Sequence, residues 1–189
     1  MIDPIAIIRR YYPEGSRAGE LLIAHGLQVA QKALDVAERL PHLALDPAFI
    51  ETAARLHDIG MFLTHAPAIG CHGKHPYIRH GILGRELLER EGLPVHALVC
   101  ERHVGAGISA GEIRRGGLPL PQRDMIPMSM AEQIICYADK FFSKNGNLDE
   151  KPLDAVLASV APYGQAQIDR FRGWVETFES LHPTKNSHS

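Results

Sequence analysis

IETAARLHDIG, residues 50–60, is the run from which both the fold and the chemistry of this chain can be read. Ile50, Ala53, Ala54 and His57 recur at helical spacing, so His57 falls on the apolar stripe of an amphipathic helix. Asp46 followed by Pro47 is a start signal, an N-cap with proline in the first turn. Gly60 reads as the terminator, giving a helix from Pro47 to about Ile59. His57 and Asp58 lie about 100° apart around such a helix, yet both can reach one ion if the helix ends there.

Working outward, segment after segment carries the same period, and no run of four to eight residues alternates as a strand would. Ser16 caps a long helix reaching about Leu40, where Pro41 stops it. After the 50–60 run comes a loop from Met61 to about Pro76 that carries His65, His72, Gly73 and His75. Helices follow near Ile78–Glu91 and Pro94–His103, broken by Gly92-Leu93-Pro94. Gly105–Pro127 reads as a long connection with one helical turn near Ser109, of a length that is usually functional or mobile. Ser129 starts a helix through about Ser143, and a last pair spans Leu148–Ala161 and Pro162–His182, before a frayed tail. The expected class is all-α: a single helical bundle domain over residues 1–189. Its motif-bearing core covers about 16–143 and its C-terminal helices about 148–182.

The composition narrows the function. A chain of 189 residues with 45% hydrophobic and 22% charged residues is an ordinary globular protein, and a formal net charge of −2 gives no drive toward nucleic acid or a membrane surface. Cys71, Cys100 and Cys136 are odd in number and form no CxxC pair, which argues against disulfides and a thiolate zinc site. The N-terminal residues lack an apolar region fit for a signal peptide, and no stretch approaches ~18 apolar residues. A reduced, cytoplasmic protein is therefore expected. The 11 histidines are the unusual feature. Histidine is the commonest protein metal ligand, so they invite a search for a metal site.

Ligand-type residues stand on otherwise apolar faces at several places. His25 shares a stripe with Ala18, Leu21, Leu22 and Val29. His80 sits with Leu83, Gly84 and Leu87, and Asp139 with Ala131, Ile135, Ala138 and Phe142. One histidine on such a face is usually a hydrogen-bonded core residue, and Asp139 alone could pair with Lys140. Several together, with two adjacent at His57-Asp58, favour a metal, since a core carboxylate is costly unless paired, hydrogen-bonded or ligating.

The order His25, His57-Asp58, Asp139 resembles the H…HD…D signature of the HD-domain metal-dependent phosphohydrolases. His57-Asp58-Ile59-Gly60 matches the family's HDIG variant, and Cys136-Tyr137-Ala138-Asp139-Lys140 resembles its terminal aspartate motif. The segment CERHVGAGIS is similar to that of small stand-alone HDIG proteins. The resemblance covers roughly residues 16–143 and implies a bundle of five or more helices with one ion held by His25, His57, Asp58 and Asp139. In a subset of the superfamily the HD aspartate bridges to a second ion held by two further histidines, here His80 and His103. His103 shares a stripe with His96, Val99 and Cys100, so it too can face inward.

The resemblance implies two divalent ions per chain, iron or manganese ahead of zinc, nickel or magnesium, with His57 and Asp58 at the centre of catalysis. The expected partner is a small phosphorylated substrate, hydrolysed by water activated between the ions. Lys74, Arg79, Arg102 and Lys140 are the candidate cations for its phosphate, and His72 and His75 can line the mouth. Met61 stands where cyclic-dinucleotide members carry lysine after HDIG, and their GYP motif is missing, which disfavours that substrate. Two other readings remain open: a mixed-valent di-iron oxygenase of the HD type, and a non-catalytic metal-stabilised binding or signalling module. Neither membrane nor specific nucleic-acid binding is expected, and the oligomeric state is open.

Overall fold

A computed structural model describes residues 2–144 and 149–179 of the chain. Among these residues it is all-α, with nine α-helices and one two-residue strand pair. Helix α1 spans Pro4–Tyr11, α2 Arg17–Glu38 and α3 Pro47–Leu56; α4 spans His80–Arg90 and α5 Pro94–Arg102. The short α6 covers Ala110–Gly116, followed by α7 Met130–Asp139, α8 Leu153–Val160 and α9 Gln165–Glu179. The expected start at Leu148 and end at His182, with the tail, lie outside the described residues. No described helix is long and apolar enough to cross a membrane.

The caps explain why the helices begin where they do. The Ser16 hydroxyl accepts from the Gly19 N–H, and the Asp46 carboxylate accepts from Ala48 and Phe49. Ser129 and Glu132 form a reciprocal capping box at α7. Helix α1 was not anticipated. Asp3 caps it by accepting from Ile5 and Ala6, and Ile7 and Ile8 are buried against the rest of the bundle.

Several boundaries differ from the sequence pattern. Helix α3 stops at Leu56, three residues early, and Gly60 is not a left-handed terminator: its φ is −81°. Glycine is needed there for space, since a Cβ would lie 2.3 Å from both the Gly84 N and the His80 O of α4. Helix α7 stops at Asp139 rather than Ser143, with Lys140 as its cap. Pro162 lies in a 3-10 turn, and Gly164 at φ +103° separates that turn from α9.

The 61–76 segment is a chain of short turns stitched by the antiparallel pair β1 (His65–Ala66) and β2 (Cys71–His72). The 105–127 connection is more ordered than its glycines and prolines suggested. Ile108 and Met125 exchange two backbone hydrogen bonds of 2.9 and 2.8 Å, and the Asp124 carboxylate accepts from the Ala110 N–H at 2.7 Å. Ser109 and Glu112 form a second capping box at α6. Ile113, Leu120 and Met125 are buried with Ile82 and Leu83 of α4, so this stretch has a core of its own.

Two larger cores complete the bundle. One joins α2, α3 and α7 to α8 and α9 through Val29, Ala33, Ile50, Tyr137, Phe171 and Trp174. The other packs α1 and the start of α2 against the end of α3, α4 and α5 through Ile8, Leu22, Leu56, Leu88 and Cys100. The ligand-type residues sit between them.

Candidate metal centre

Six side chains from five helices and one turn converge in the interior. His25 lies mid-way along α2; His57 caps the C-terminus of α3, and Asp58 follows it in the turn. His80 opens α4, His103 caps the end of α5, and Asp139 is the last residue of α7. All six are buried, with Asp58 at 0% exposure. Five of them stand at helix ends, where a side chain can reach past the last turn into a space no helix fills.

Hydrogen bonds fix the imidazoles. The Nδ1–H of His57 donates to the Ala54 carbonyl at 2.6 Å, that of His80 to Tyr77 at 2.6 Å and that of His103 to Cys100 at 2.8 Å. A carbonyl only accepts, so Nδ1 carries the proton in each, and in the neutral ring Nε2 presents a lone pair. Those Nε2 atoms point at Asp58. Its Oδ2 lies 3.1 Å from His57 and 3.4 Å from His25; its Oδ1 lies 3.2 Å from His80 and 3.3 Å from His103. Asp139 Oδ1 closes the first side, 2.9 Å from His25 Nε2 and 3.3 Å from His57 Nε2.

Asp139 Oδ1 meets both imidazoles in hydrogen-bond geometry, but Asp58 does not. Among the described residues, neither oxygen of Asp58 meets a donor in hydrogen-bond geometry, although both are buried. The Nε2 atoms of His80 and His103 face each other at 2.9 Å, which sets two lone pairs together when both rings are neutral. The Lys144 ammonium already lies 2.6 Å from Asp58 Oδ2, whereas Oδ1 faces only imidazole nitrogens among the described residues; that oxygen and the opposed lone pairs are what a cation between them would resolve. The donor atoms form two groups, His25, His57, Asp58 and Asp139, and Asp58, His80 and His103, that can each hold a metal ion. Asp58 belongs to both, one oxygen to each side.

The two sides differ electrostatically. Burial pulls the His57 imidazole down, but the Asp58 and Asp139 carboxylates outweigh it and hold its pKa at about 9. Burial dominates at His80, pushing it to about 3, and also lowers His103. Burial would raise both carboxyls, yet Lys144 and His57 beside Asp58, and Lys140 and Lys144 beside Asp139, hold both well below the usual range.

Two cavities open from the centre. The larger, about 880 Å³, is bounded by His80, His103 and Asp139 at the centre and by Ile108, Leu118 and Arg115 further out. The smaller, about 400 Å³, is lined by Lys140, Lys144, Lys151, Ser143 and Ser159. Tyr77, Asp139, Lys140, Lys144 and Tyr163 border both.

Of the four cations expected at the substrate, only Lys140 lines these two cavities. Its Nζ donates to Asp139 Oδ2 at 2.6 Å and to the His103 carbonyl at 3.3 Å. Arg102, one residue before His103, turns away and donates to Glu132 at 2.9 Å. Lys74 is exposed, Arg79 is half-buried, and neither lines either of these two cavities; nor do His72 and His75. Sequence proximity to a ligand does not fix direction, and Lys74, Arg79 and Arg102 line neither of these cavities. Lys144, Lys151, Tyr77 and Arg115 were missed. Lys144 sits beyond the end of α7, where helical periodicity no longer says which way a side chain points.

Fold and site together define an all-α protein with buried histidine–aspartate clusters fit to bind metal. The chain belongs to the HD domain family, whose model matches residues 22–143, a family within a superfamily of metal-dependent phosphohydrolases. It is 32% identical over 136 residues to an uncharacterized protein of Methanocaldococcus jannaschii, covering 69% of this chain and 73% of that one. It is 30% identical over 141 residues to a tRNA (cytidine(56)-2'-O)-methyltransferase of Picrophilus torridus, covering 74% of this chain but 37% of that protein. The protein of the same name from Thermoplasma volcanium is 29% identical over 132 residues, covering 69% of this chain and 34% of its own length. The chain thus spans little more than a third of either methyltransferase. No solved structure matches.

Proposed function

We propose that the chain is a phosphohydrolase that cleaves a phosphate ester of a nucleotide or other small phosphorylated metabolite at a dinuclear metal centre. The observation that carries this reading is Asp58, fully buried, with its two oxygens divided between two histidine pairs and neither hydrogen-bonded. His25, His57, Asp58 and Asp139 would hold one ion, and Asp58, His80 and His103 the other. Imidazole and carboxylate donors suit iron or manganese, and accommodate zinc, nickel or magnesium, without selecting by affinity alone. When bound, such ions lower the pKa of a shared water and polarise a phosphoryl oxygen.

The chain's own residues supply the rest. The Ala54, Tyr77 and Cys100 carbonyls lock three imidazoles with Nε2 inward, so little reorganisation accompanies ligation. Lys140 holds the outer oxygen of Asp139 and leaves Oδ1 facing His25 and His57. Lysines on the cavity wall offset the charge of a phosphate held against the centre. The methyl transfer named for the two relatives belongs to proteins most of whose length lies outside the match, and is not carried over.

The test is a broad phosphoester panel, with the protein reconstituted separately with manganese, iron and zinc and phosphate release as the readout. Turnover of at least one ester, abolished by Asp58→Ala, is expected. A folded, metal-loaded protein that cleaves none of them contradicts the reading. Oxygen consumption by an iron-loaded form would replace it with the oxygenase reading, and partner binding that survives Asp58→Ala with the binding-module reading.

A further inference from the structure

The smaller cavity has three lysines on its wall, and Asp139 is the one carboxylate among its described lining residues. The two lysines nearest the centre are held differently. Lys140 makes two hydrogen bonds, to the outward oxygen of Asp139 and to the His103 carbonyl, and so is a fixed part of the frame. Lys144 instead reaches inward. Its Nζ lies 2.6 Å from Asp58 Oδ2 and 3.9 Å from Asp139 Oδ1. Those same oxygens face His25 and His57. The ammonium therefore lies against oxygens that an ion bound by His25, His57, Asp58 and Asp139 would use, close to Asp58 but without hydrogen-bond alignment.

A buried carboxylate needs a counter-charge, and a lysine can supply it. An ammonium and a divalent ion cannot share the same oxygens at such distances, because like charges so close together in a buried site repel strongly. The long lysine stem offers an alternative, since the Lys144 side chain lines both cavities beside Lys140. Lys151 lines the smaller one and has no ion pair among the described residues.

We propose that Lys144 is an exchangeable cation. It neutralises Asp58 while the centre lacks its ion, and when the ion binds it turns into the lysine-lined cavity, where it and Lys151 bind the anionic group of the substrate. Taking that anion to be a phosphate rests on the phosphohydrolase reading. Binding of metal and of substrate are thereby coupled, because the ion releases the lysine that the phosphate then uses.

Two titrations test this without turnover. Manganese is titrated into metal-free wild type, Lys144→Met, Lys144→Gln and Lys151→Met, with folding checked by circular dichroism; the glutamine variant serves if the methionine variant fails to fold. The expected result is manganese binding tighter by about tenfold in the Lys144 variants and unchanged in Lys151→Met. Inorganic phosphate is then titrated into the manganese-loaded proteins, and should bind about tenfold more weakly in both the Lys144 and Lys151 variants. Unchanged or weaker manganese binding on loss of Lys144 overturns the exchange, and unchanged phosphate binding overturns the anion site. A protein silent on every phosphoester would break the hydrolase reading alone, leaving both titrations interpretable.

Discussion

The two halves of the centre share Asp58 and differ in almost everything else. On the Oδ2 side, His25 and His57 are wholly buried, a second carboxylate is present, and the His57 pKa is held at about 9. On the Oδ1 side, His80 and His103 border the larger cavity, no second carboxylate takes part among the described residues, and the His80 pKa is pushed to about 3. One half is anionic and enclosed at its two histidines, although Asp139 borders both cavities. The other is neutral, already deprotonated and open to the cavity. On the dinuclear reading, the enclosed half would hold an ion and the open half would present one to a ligand.

The largest effect belongs to the residue the halves share. Asp58→Ala is expected to empty both and to lower turnover by about a thousandfold or more, since metal charge stabilisation is worth several kcal/mol. Metal analysis beside the activity assay checks it. Next come the halves taken separately. His80→Ala or His103→Ala should leave about one ion per chain, whereas His25→Ala or His57→Ala should lose that ion and weaken the other. Equal losses from both sets would erase the distinction.

The third contrast is in pH. Because the folded pKa of His57 is raised from 6.5 to about 9, an ion entering the enclosed half must displace a proton. Its affinity should climb by up to about tenfold per pH unit between pH 6 and 8. The sign reverses for the metal-free fold: the stabilisation from protonated His57 is complete below about 6.5 and lost as pH rises through about 9. The open half, with His80 and His103 lowered, should be nearly flat over that range. Calorimetric titrations at several pH values separate the two, and a pH-independent first ion would contradict the assignment.

The smallest expected effect tests the scaffold. Gly60→Ala places a methyl group 2.3 Å from two backbone atoms of α4. It should cost about 2 kcal/mol by overpacking, seen in denaturant unfolding, and shift Asp58 relative to His80. A variant as stable as wild type would show that α3 and α4 can part more easily than their packing implies.

The centre was more legible than the fold's edges. Adjacency at His57-Asp58 and ligand-type residues on apolar stripes marked His25, His80 and Asp139, because polar groups at core positions are costly without a reason, and the family resemblance added His103. Caps at Ser16, Asp46 and Ser129 were legible because side-chain capping is local chemistry. Gly60 was misread because a glycine that ends a helix and one that admits a neighbouring backbone look alike in sequence. Helix α1, one capped stretch of Pro4–Tyr11, gave too short a periodic signal to stand out. The charged residues were the least legible. Arg102, expected at the substrate, is drawn outward by Glu132, and Lys144, for which the sequence offered no reading, is drawn inward by Asp58; both partners are brought near only by tertiary packing.

Elemental analysis of the folded protein, purified without added metal, tests the shared aspartate most directly. A value near two divalent ions per chain, falling to near zero in Asp58→Ala, is the result expected of a carboxylate bridging two sites. A value near one that survives in Asp58→Ala would contradict the bridge and leave Asp58 a buried anion held by Lys144 alone.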